Sequence, residues 1–454
     1  KALIILGQAP MWGEGLRTIY LEEMTMYKVP YGKTEIEFNL LPGMKGTVIY
    51  SQPISPLADV SAAIDKALAE PINSAPLRDL ARKGDSVCIV FTDITRACPD
   101  YLLIPPILRE LHAAGVRKED VTLLCGTGLH RASTYEEKVA KLGVHVVENY
   151  RVVDNKPQNA ADFVDLGQTD SGIPLSANKI ACEADLLIST GIVEPHQIAG
   201  YSGARKTVAI GAADEEMIGY MHGPQMIDHP GTRLGKISGN PLHEAITEAA
   251  RRVGLRFILN VVSDEEERPV AIYGGEPEAT FAKLVTIARK LYTVPVPHKY
   301  DVVVGGVGFP KDANLYQASR APSYIFFAPT PVVTKGGVLI TPARCEEGAG
   351  KGIGEQRFFE EMHSSPNMSA LLEKMRQKGY QPGAQRALIM AKVMEVNPVV
   401  IVGAEFPEIV RGTKMIPTQT MEEALEFAVK HIGRPDLDVL IIPHALLTLP
   451  FVKD

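Results

Sequence analysis

The sequence predicts an α/β protein of two domains, each a mostly parallel sheet flanked by helices. Three observations carry that expectation. Short apolar runs alternate with helical patterns along the 454 residues. The strand-like runs end in polar loops rich in His, Asp and Arg. The proline-bearing stretch "LYTVPVPHKYD" (291–301) then separates one such series from a second. Strand, loop and helix in repetition mean parallel strands with helices on both faces.

In the first series, "SVCIVFTD" (86–93) reads as a strand and "DYLLIPPILRELHAAG" as a helix ending at Gly115. "DVTLLCGTG" is the next strand. "STYEEKVAKLG" is the next helix, with Thr134 and Glu137 in capping-box spacing. "ADLLISTG" is a third strand. Loops at the carboxyl ends of such strands build sites, and here they are "TDITR", "GTGLHR" and "EPHQ". In the second series "DVVVGGVG", "GGVLITPA" and "PVVIVGAE" read as strands, "TMEEALEFAVKHIG" as a helix and "DVLIIPH" as the final strand. "FPKDANLYQASRA" (309–321) reads as the opening of one helix with Asn314 as its N-cap, which puts Tyr316 and Arg320 on one face. The expected division is 1–27 as an added segment, 28–295 as the first domain and 296–454 as the second.

Apolar residues make up 45% of the chain, enough for substantial cores. Net charge is −7, which argues against nucleic acid or an anionic membrane as partner. No window is long enough to span a membrane, and the opening apolar run is too short for a signal-peptide core. The five cysteines (88, 98, 125, 182 and 345) are scattered without a C-x-x-C pair. Free thiols in a reducing, cytoplasmic setting are the expectation.

"EPHQIAGYSGARKT" (194–207) is the most distinctive stretch. It approaches a phosphate-binding G-x-x-x-x-G-K-[ST] loop, but Arg205 stands where the second Gly belongs and would obstruct close backbone approach. His130 lies between a strand end and a helix start; alone it reads equally as a surface histidine in a turn. Asp93 and Arg96 at another strand end suit either a cap with a solvated cation or an anion clamp. His222, His229 and His243 show no paired-histidine zinc pattern.

Taken together, "DITR", "GLHRASTYEE", "EADLLISTGIVEPHQIAGYSGARK", "GNPLHEAI", "FILNVV" and "NLYQASR" follow one family's order. The chain resembles the nickel-pincer-nucleotide lactate racemases and their hydroxyacid racemase and epimerase relatives, over about residues 28–454. The intervals between His130, His196, Lys206 and His222 fit the family's two catalytic histidines, cofactor lysine and metal histidine. The resemblance implies a pyridinium-3-thioamide-5-thiocarboxylic acid mononucleotide joined covalently to Lys206. It implies nickel held by that cofactor with His222 as the protein ligand, and His130 and His196 as the acid–base pair. It places Arg96, Tyr316, Gln317 and Arg320 around the substrate carboxylate, and Asp93 beside the cofactor or a catalytic histidine. The implied reaction inverts C2 of a 2-hydroxy acid by reversible hydride transfer through a 2-keto acid, in the cleft between the domains. Histidine suits proton transfer near neutral pH.

Two departures from the family pattern turn the expectation away from lactate. Arg320 replaces a lysine, and Pro382 replaces a tryptophan; the only tryptophan here is Trp12. The family's usual start falls near Met26. Expected partners are a small 2-hydroxy acid and the proteins that build the cofactor, in a monomer or homodimer. The alternatives are a cofactor-carrying or catalytically silent homologue, or an enzyme binding a phosphate ligand through "GYSGARKT".

Overall fold

The computed structural model describes residues 19–20 and 26–453. The expected added segment 1–27, Trp12 included, lies outside the described residues except for Ile19–Tyr20 and positions 26 and 27.

The first sheet has six strands in the order Pro269–Gly275, Leu255–Ser263, Leu186–Ile192, Val87–Thr92, Val121–Gly126 and Arg151–Asp154. All neighbours run parallel except the edge pair of Leu255–Ser263 with Pro269–Gly275. Every residue of Val87–Thr92 and Leu186–Ile192 is buried, as expected of strands covered on both faces. Continuous apolar runs such as "VCIVF" are the sequence signature of that burial. Val90 sits opposite Ser189 on one side and Leu124 on the other.

The second sheet has seven strands in the order Ile19–Tyr20, Lys45–Val48, Asp438–Ile442, Tyr300–Gly305, Val333–Pro342, Val399–Val402 and Ile416–Thr418. Only the Ile19–Tyr20 pairing is antiparallel. Both sheets therefore have the α/β architecture read from the sequence.

Strand order changes direction once in each sheet. In the first, the chain moves from Val87–Thr92 outward to Arg151–Asp154, then returns to place Leu186–Ile192 on the other side of Val87–Thr92. In the second, Tyr300–Gly305 has later strands on both sides. Such reversals leave a crevice at the strands' carboxyl ends, the usual place for a ligand.

Lys45–Val48 belongs to the second sheet, parallel to Asp438–Ile442. Three readings of single elements are corrected. The stretch expected as a linker contains a strand, Thr293–Val296, and Asp438–Ile442 is not the last strand. Leu449–Val452 follows it and pairs in parallel with Thr293–Val296 across the join. The single helix expected from 309 is two short ones, Leu315–Ala318 and Arg320–Phe326, parted at Ser319. One apolar cluster runs from Ile210, Met217 and Ile246 on the first side to Leu315, Phe358 and Leu388 on the second. The halves therefore share buried surface rather than meeting at a wet seam.

Candidate active site

Three neighbouring strands of the first sheet deliver three loops to one place. After Thr92 the chain turns, with the Arg96 amide donating to the Asp93 carbonyl at 3.2 Å. A buried pair holds this turn from below. Lys141 Nζ lies 2.8 Å from Asp100 Oδ2, with side chains 7% and 0% exposed. Lys141 also donates to the carbonyls of Arg96 (3.2 Å) and Cys98 (2.6 Å). Thr92 and Thr190 hydroxyls donate to the two Asp100 oxygens at 2.6 and 2.5 Å. Such complete pairing offsets the cost of burying both ions.

The second loop follows Gly126 and carries His130, whose amide donates to the Thr127 carbonyl at 3.0 Å. Its helix starts at Tyr135 with the expected capping box: the Glu137 amide donates to Thr134 Oγ1, and the Thr134 amide to Glu137 Oε2.

The third loop is "EPHQIAGYSGARKT". Pro195–His196 pairs antiparallel with Gly200–Tyr201, forming a tight hairpin. Gly200 has φ +77, and a Cβ there would stand 2.1 Å from the Lys236 carbonyl oxygen. Only glycine fits both the conformation and the approach. The helix Ala204–Ala209 follows and carries Lys206 into the cavity. Arg205 turns the other way, its guanidinium 3.9 Å over the Phe281 ring.

His222 caps the helix Glu215–Met221, and its Nδ1 donates to the Ile218 carbonyl at 2.8 Å. Tyr380 Oη donates to the His222 carbonyl at 2.5 Å. From the second sheet, the segment after Tyr300–Gly305 adds Tyr316, Gln317 and Arg320. Asn314 caps it as read, its Oδ1 accepting the Gln317 amide at 2.9 Å. Arg320 Nη1 donates to Gln317 Oε1 at 3.3 Å.

These loops enclose a cavity of about 410 Å³. Asp93, Arg96, His130, His196, Lys206, His222, Tyr316, Gln317 and Arg320 all line it. Every residue singled out as a candidate from the sequence is thus in one place, where both strand reversals open. Pro382 does not line the cavity; Gln385, Arg386 and Ile389 from the helix after it do.

The electrostatics differentiate the groups. Burial alone would raise the Asp93 carboxyl, but His130, Arg96 and Thr95 together bring it down to about 2. Asp93 is therefore a carboxylate and can only accept, so His130 Nδ1, 2.5 Å from its Oδ2, carries a proton. That leaves His130 Nε2 with a free lone pair when the ring is neutral. His196 is the converse. Burial, with Lys206, Arg96 and Arg320 nearby, holds it well below the usual histidine range, so it is neutral. Its Nδ1 accepts the Ala199 amide at 3.2 Å, which puts the proton on Nε2. Burial, reinforced by Arg96 and Arg320, pushes Lys206 down to about 7. Burial brings His222 down to about 4, and its Nδ1–H bond to Ile218 leaves Nε2 as a free donor atom.

Residues 31–235 match the lactate racemase N-terminal domain and residues 297–448 the lactate racemase C-terminal domain. The lactate racemase of Thermoanaerobacterium thermosaccharolyticum is 31% identical over 424 residues, spanning 92% of this chain and 98% of that protein. The chain belongs to the lactate racemase family. It is a racemase-type isomerase by that membership. The lactate racemase of Lactiplantibacillus plantarum is 32% identical over 388 residues, spanning 84% of this chain and 89% of that one. The lactate racemase apoprotein structure from T. thermosaccharolyticum superposes with a TM-score of 0.83 at 29% identity, over 94% of this chain and 100% of that one. A Thermotoga maritima protein shares the fold, with a TM-score of 0.63 at 21% identity over 83% and 96% of the two chains.

Several lining residues escaped the sequence reading, among them Gln197, Lys311, Tyr324 and Arg386. Arg386 had a visible signal, an arginine at the start of the apolar run "ALIMA". Lys311 looked like any surface cation of a loop. All five cysteines are free, and all but Cys182 are buried. Among the described residues, no helix is long and apolar enough to cross a membrane.

Proposed function

We propose that this family member inverts C2 of a 2-hydroxy acid other than lactate, using a nickel-pincer nucleotide carried on Lys206. The observation that carries the reading is the pair of histidines lining one cavity with opposite proton patterns, next to a depressed lysine and a third histidine with a free Nε2.

The residues present fit the group. A lysine amine near neutrality can act as the nucleophile that a covalent tether needs. Among the described residues no cluster of three or more His, Cys, Asp or Glu could hold a metal. A single imidazole lone pair, on His222, suits a metal that arrives with its other donors already in place. When bound, the group supplies an acceptor and donor of hydride.

The chain's own residues supply the rest. Arg320, Gln317 and Tyr316 receive the substrate carboxylate, with Arg96 also lining the cavity. His130 Nε2, held by Asp93, takes the hydroxyl proton as C2 loses hydride, leaving a 2-keto acid. His196 Nε2–H hydrogen-bonds the keto oxygen, and when hydride is delivered to the opposite face of C2 that oxygen recovers the proton held on His130, so both rings end neutral. The pair serves both hands of the substrate because one ring exchanges the proton while the other donates from Nε2. The cofactor is complex, so its biosynthetic proteins are required partners, and protein made without them stays unloaded.

The test is intact mass, nickel content and chiral chromatography on protein co-produced with the cofactor-building enzymes. Expected are an adduct on the Lys206 peptide, nickel lost in His222→Ala, and conversion of one 2-hydroxy acid enantiomer to the other. Loaded protein that inverts no member of a broad 2-hydroxy acid panel would sink the reading and leave a cofactor carrier. Stabilisation by ATP or a sugar phosphate would favour the phosphate-loop alternative.

A further inference from the structure

We infer that the substrate carries a second carboxylate, received by Arg386 beside Arg320, so that the substrate class is the 2-hydroxy dicarboxylic acids. This rests on the function proposed above and specifies its substrate.

Arg386 begins the helix Gln385–Met394 as its second residue, is 8% exposed and lines the cavity. Its Nη1 donates to Ser323 Oγ at 2.9 Å and to Gln197 Oε1 at 3.4 Å. Its guanidinium stands 5.5 Å from the Tyr316 ring centre. These are neutral contacts. Among the described residues no carboxylate lies within ion-pair distance of either Arg386 or Arg320; Glu194 acts on Arg320 only through space. Buried Lys141 has Asp100 as its counter-ion, and buried Arg205, outside the cavity, has the Phe281 face and Thr247 in place of one. Arg386, buried, and Arg320, part-buried, face the cavity without an ion-pair partner; such an arrangement is costly, and a bound anion removes that cost.

Unmet donors point the same way. Gln197 is 4% exposed and also lines the cavity, and its amide Nε2 has no acceptor. Nε of Arg386 and Nε of Arg320 likewise have none. Buried donors without acceptors call for an acceptor-rich ligand or a small shift that presents them to one. A carboxylate answers both the charge and the donors, and guanidinium groups bind it in a fork.

Arg386 bonds Ser323, three residues after Arg320 on the same helix, and Gln197, next to His196 in the chain. Arg386 therefore adjoins the wall that carries Arg320 and the loop that carries His196. A 2-hydroxy acid with its C1 carboxylate at Arg320 and Gln317 extends its side chain toward Arg386. A terminal carboxylate there completes the site; a methyl group leaves Arg386 unpaired. The phosphate of the tethered nucleotide is the competing source of negative charge, and the experiment separates the two.

The holoenzyme is assayed with malate and with 2-hydroxybutanoate, a monocarboxylate of the same chain length whose far end is an uncharged methyl. The dicarboxylate is expected to have a kcat/KM higher by roughly tenfold or more. That ratio should collapse toward one in Arg386→Met and partly recover in Arg386→Lys. Wild-type protein that inverts 2-hydroxybutanoate as well as malate overturns the inference and leaves the function standing. An Arg386→Met protein with reduced adduct at Lys206 but an unchanged substrate ratio also overturns it, by assigning Arg386 to the nucleotide. Should no 2-hydroxy acid be inverted, the function fails, and calorimetry with succinate against butanoate still decides the subsite. Tighter succinate binding that Arg386→Met abolishes supports it, and equal binding rejects it.

Discussion

His130 and His196 line one cavity in opposite tautomers: the first donates from Nδ1 to Asp93 at 2.5 Å, and the second accepts the Ala199 amide on Nδ1 at 3.2 Å. The cavity therefore presents one bare Nε2 and one Nε2–H. Asp93 sets the first half of this arrangement, and the backbone sets the second.

Asp93→Asn removes the negative charge and can present an N–H to His130 Nδ1, so the His130 tautomer is no longer fixed. The expected result is a fall in kcat of about 10²–10⁴-fold with KM changed much less, measured by chiral chromatography of the holoenzyme. The acid limb of the pH–rate profile should not come from Asp93. Its folded carboxyl sits at about 2, below the ordinary carboxylate value. The stability it contributes is full above that ordinary value and is lost only as pH falls through about 2.

Lys206 titrates at about 7 in the folded, unloaded protein, against an ordinary lysine value above 10. Between those values the unfolded chain binds the extra proton, so stability rises with pH across that window. Melting temperature of the unloaded protein should climb from pH 7 to 9, and Lys206→Met should flatten the climb. An amine-directed label should modify Lys206 with a midpoint near 7. A midpoint above 9 would show the amine to be solvated.

Lys141→Met leaves Asp100 charged and buried. The expected loss is about 3–5 kcal/mol in denaturant unfolding, because one partner of a buried pair is gone. Lys141→Met with Asp100→Asn should lose less than the single change. The double variant, if folded, should still show raised KM, since the Arg96 and Cys98 carbonyls have lost the ammonium that holds their turn.

Gly200→Ala forces a Cβ into the Lys236 carbonyl oxygen at a positive φ. A cost of roughly 1–3 kcal/mol follows from the backbone conformation alone, with the clash adding to it. The variant should also lose His196 geometry, read as a fall in kcat larger than the change in melting temperature explains.

Local patterns were legible in the sequence, and long-range ones were not. "SVCIVFTD" and "ADLLISTG" announce buried strands because their apolar runs end at turn residues, and the structure makes them central neighbours. The Thr134–Glu137 box and the Asn314 cap depend on residues three apart, so they read correctly. Lys45–Val48 could not be assigned to the far sheet, since its partner Asp438–Ile442 lies almost the whole chain away. The break at Ser319 coincides with Pro322, which has no N–H to bond the Ala318 carbonyl and so cannot continue the first helix. Asp93, Arg96, His130 and His196 converge because they follow strand ends, whereas Lys206, His222, Tyr316, Gln317 and Arg320 are brought in on short helices or their ends. Arg386 and Lys141 sit inside helical patterns, where an arginine or lysine ordinarily means a solvated face, and only burial reveals otherwise.

The ladder of Thr293–Val296 with Leu449–Val452 makes the join between the domains a clasp. A free linker would let the cleft gape; here, gaping means bending around four paired residues or unzipping them. Under the proposed function, a nucleotide is the larger body to admit and a 2-hydroxy acid the smaller, so the expectation is that insertion strains the clasp and turnover does not. Amide exchange at 293–296 and 449–452 should quicken during cofactor insertion and stay slow during turnover.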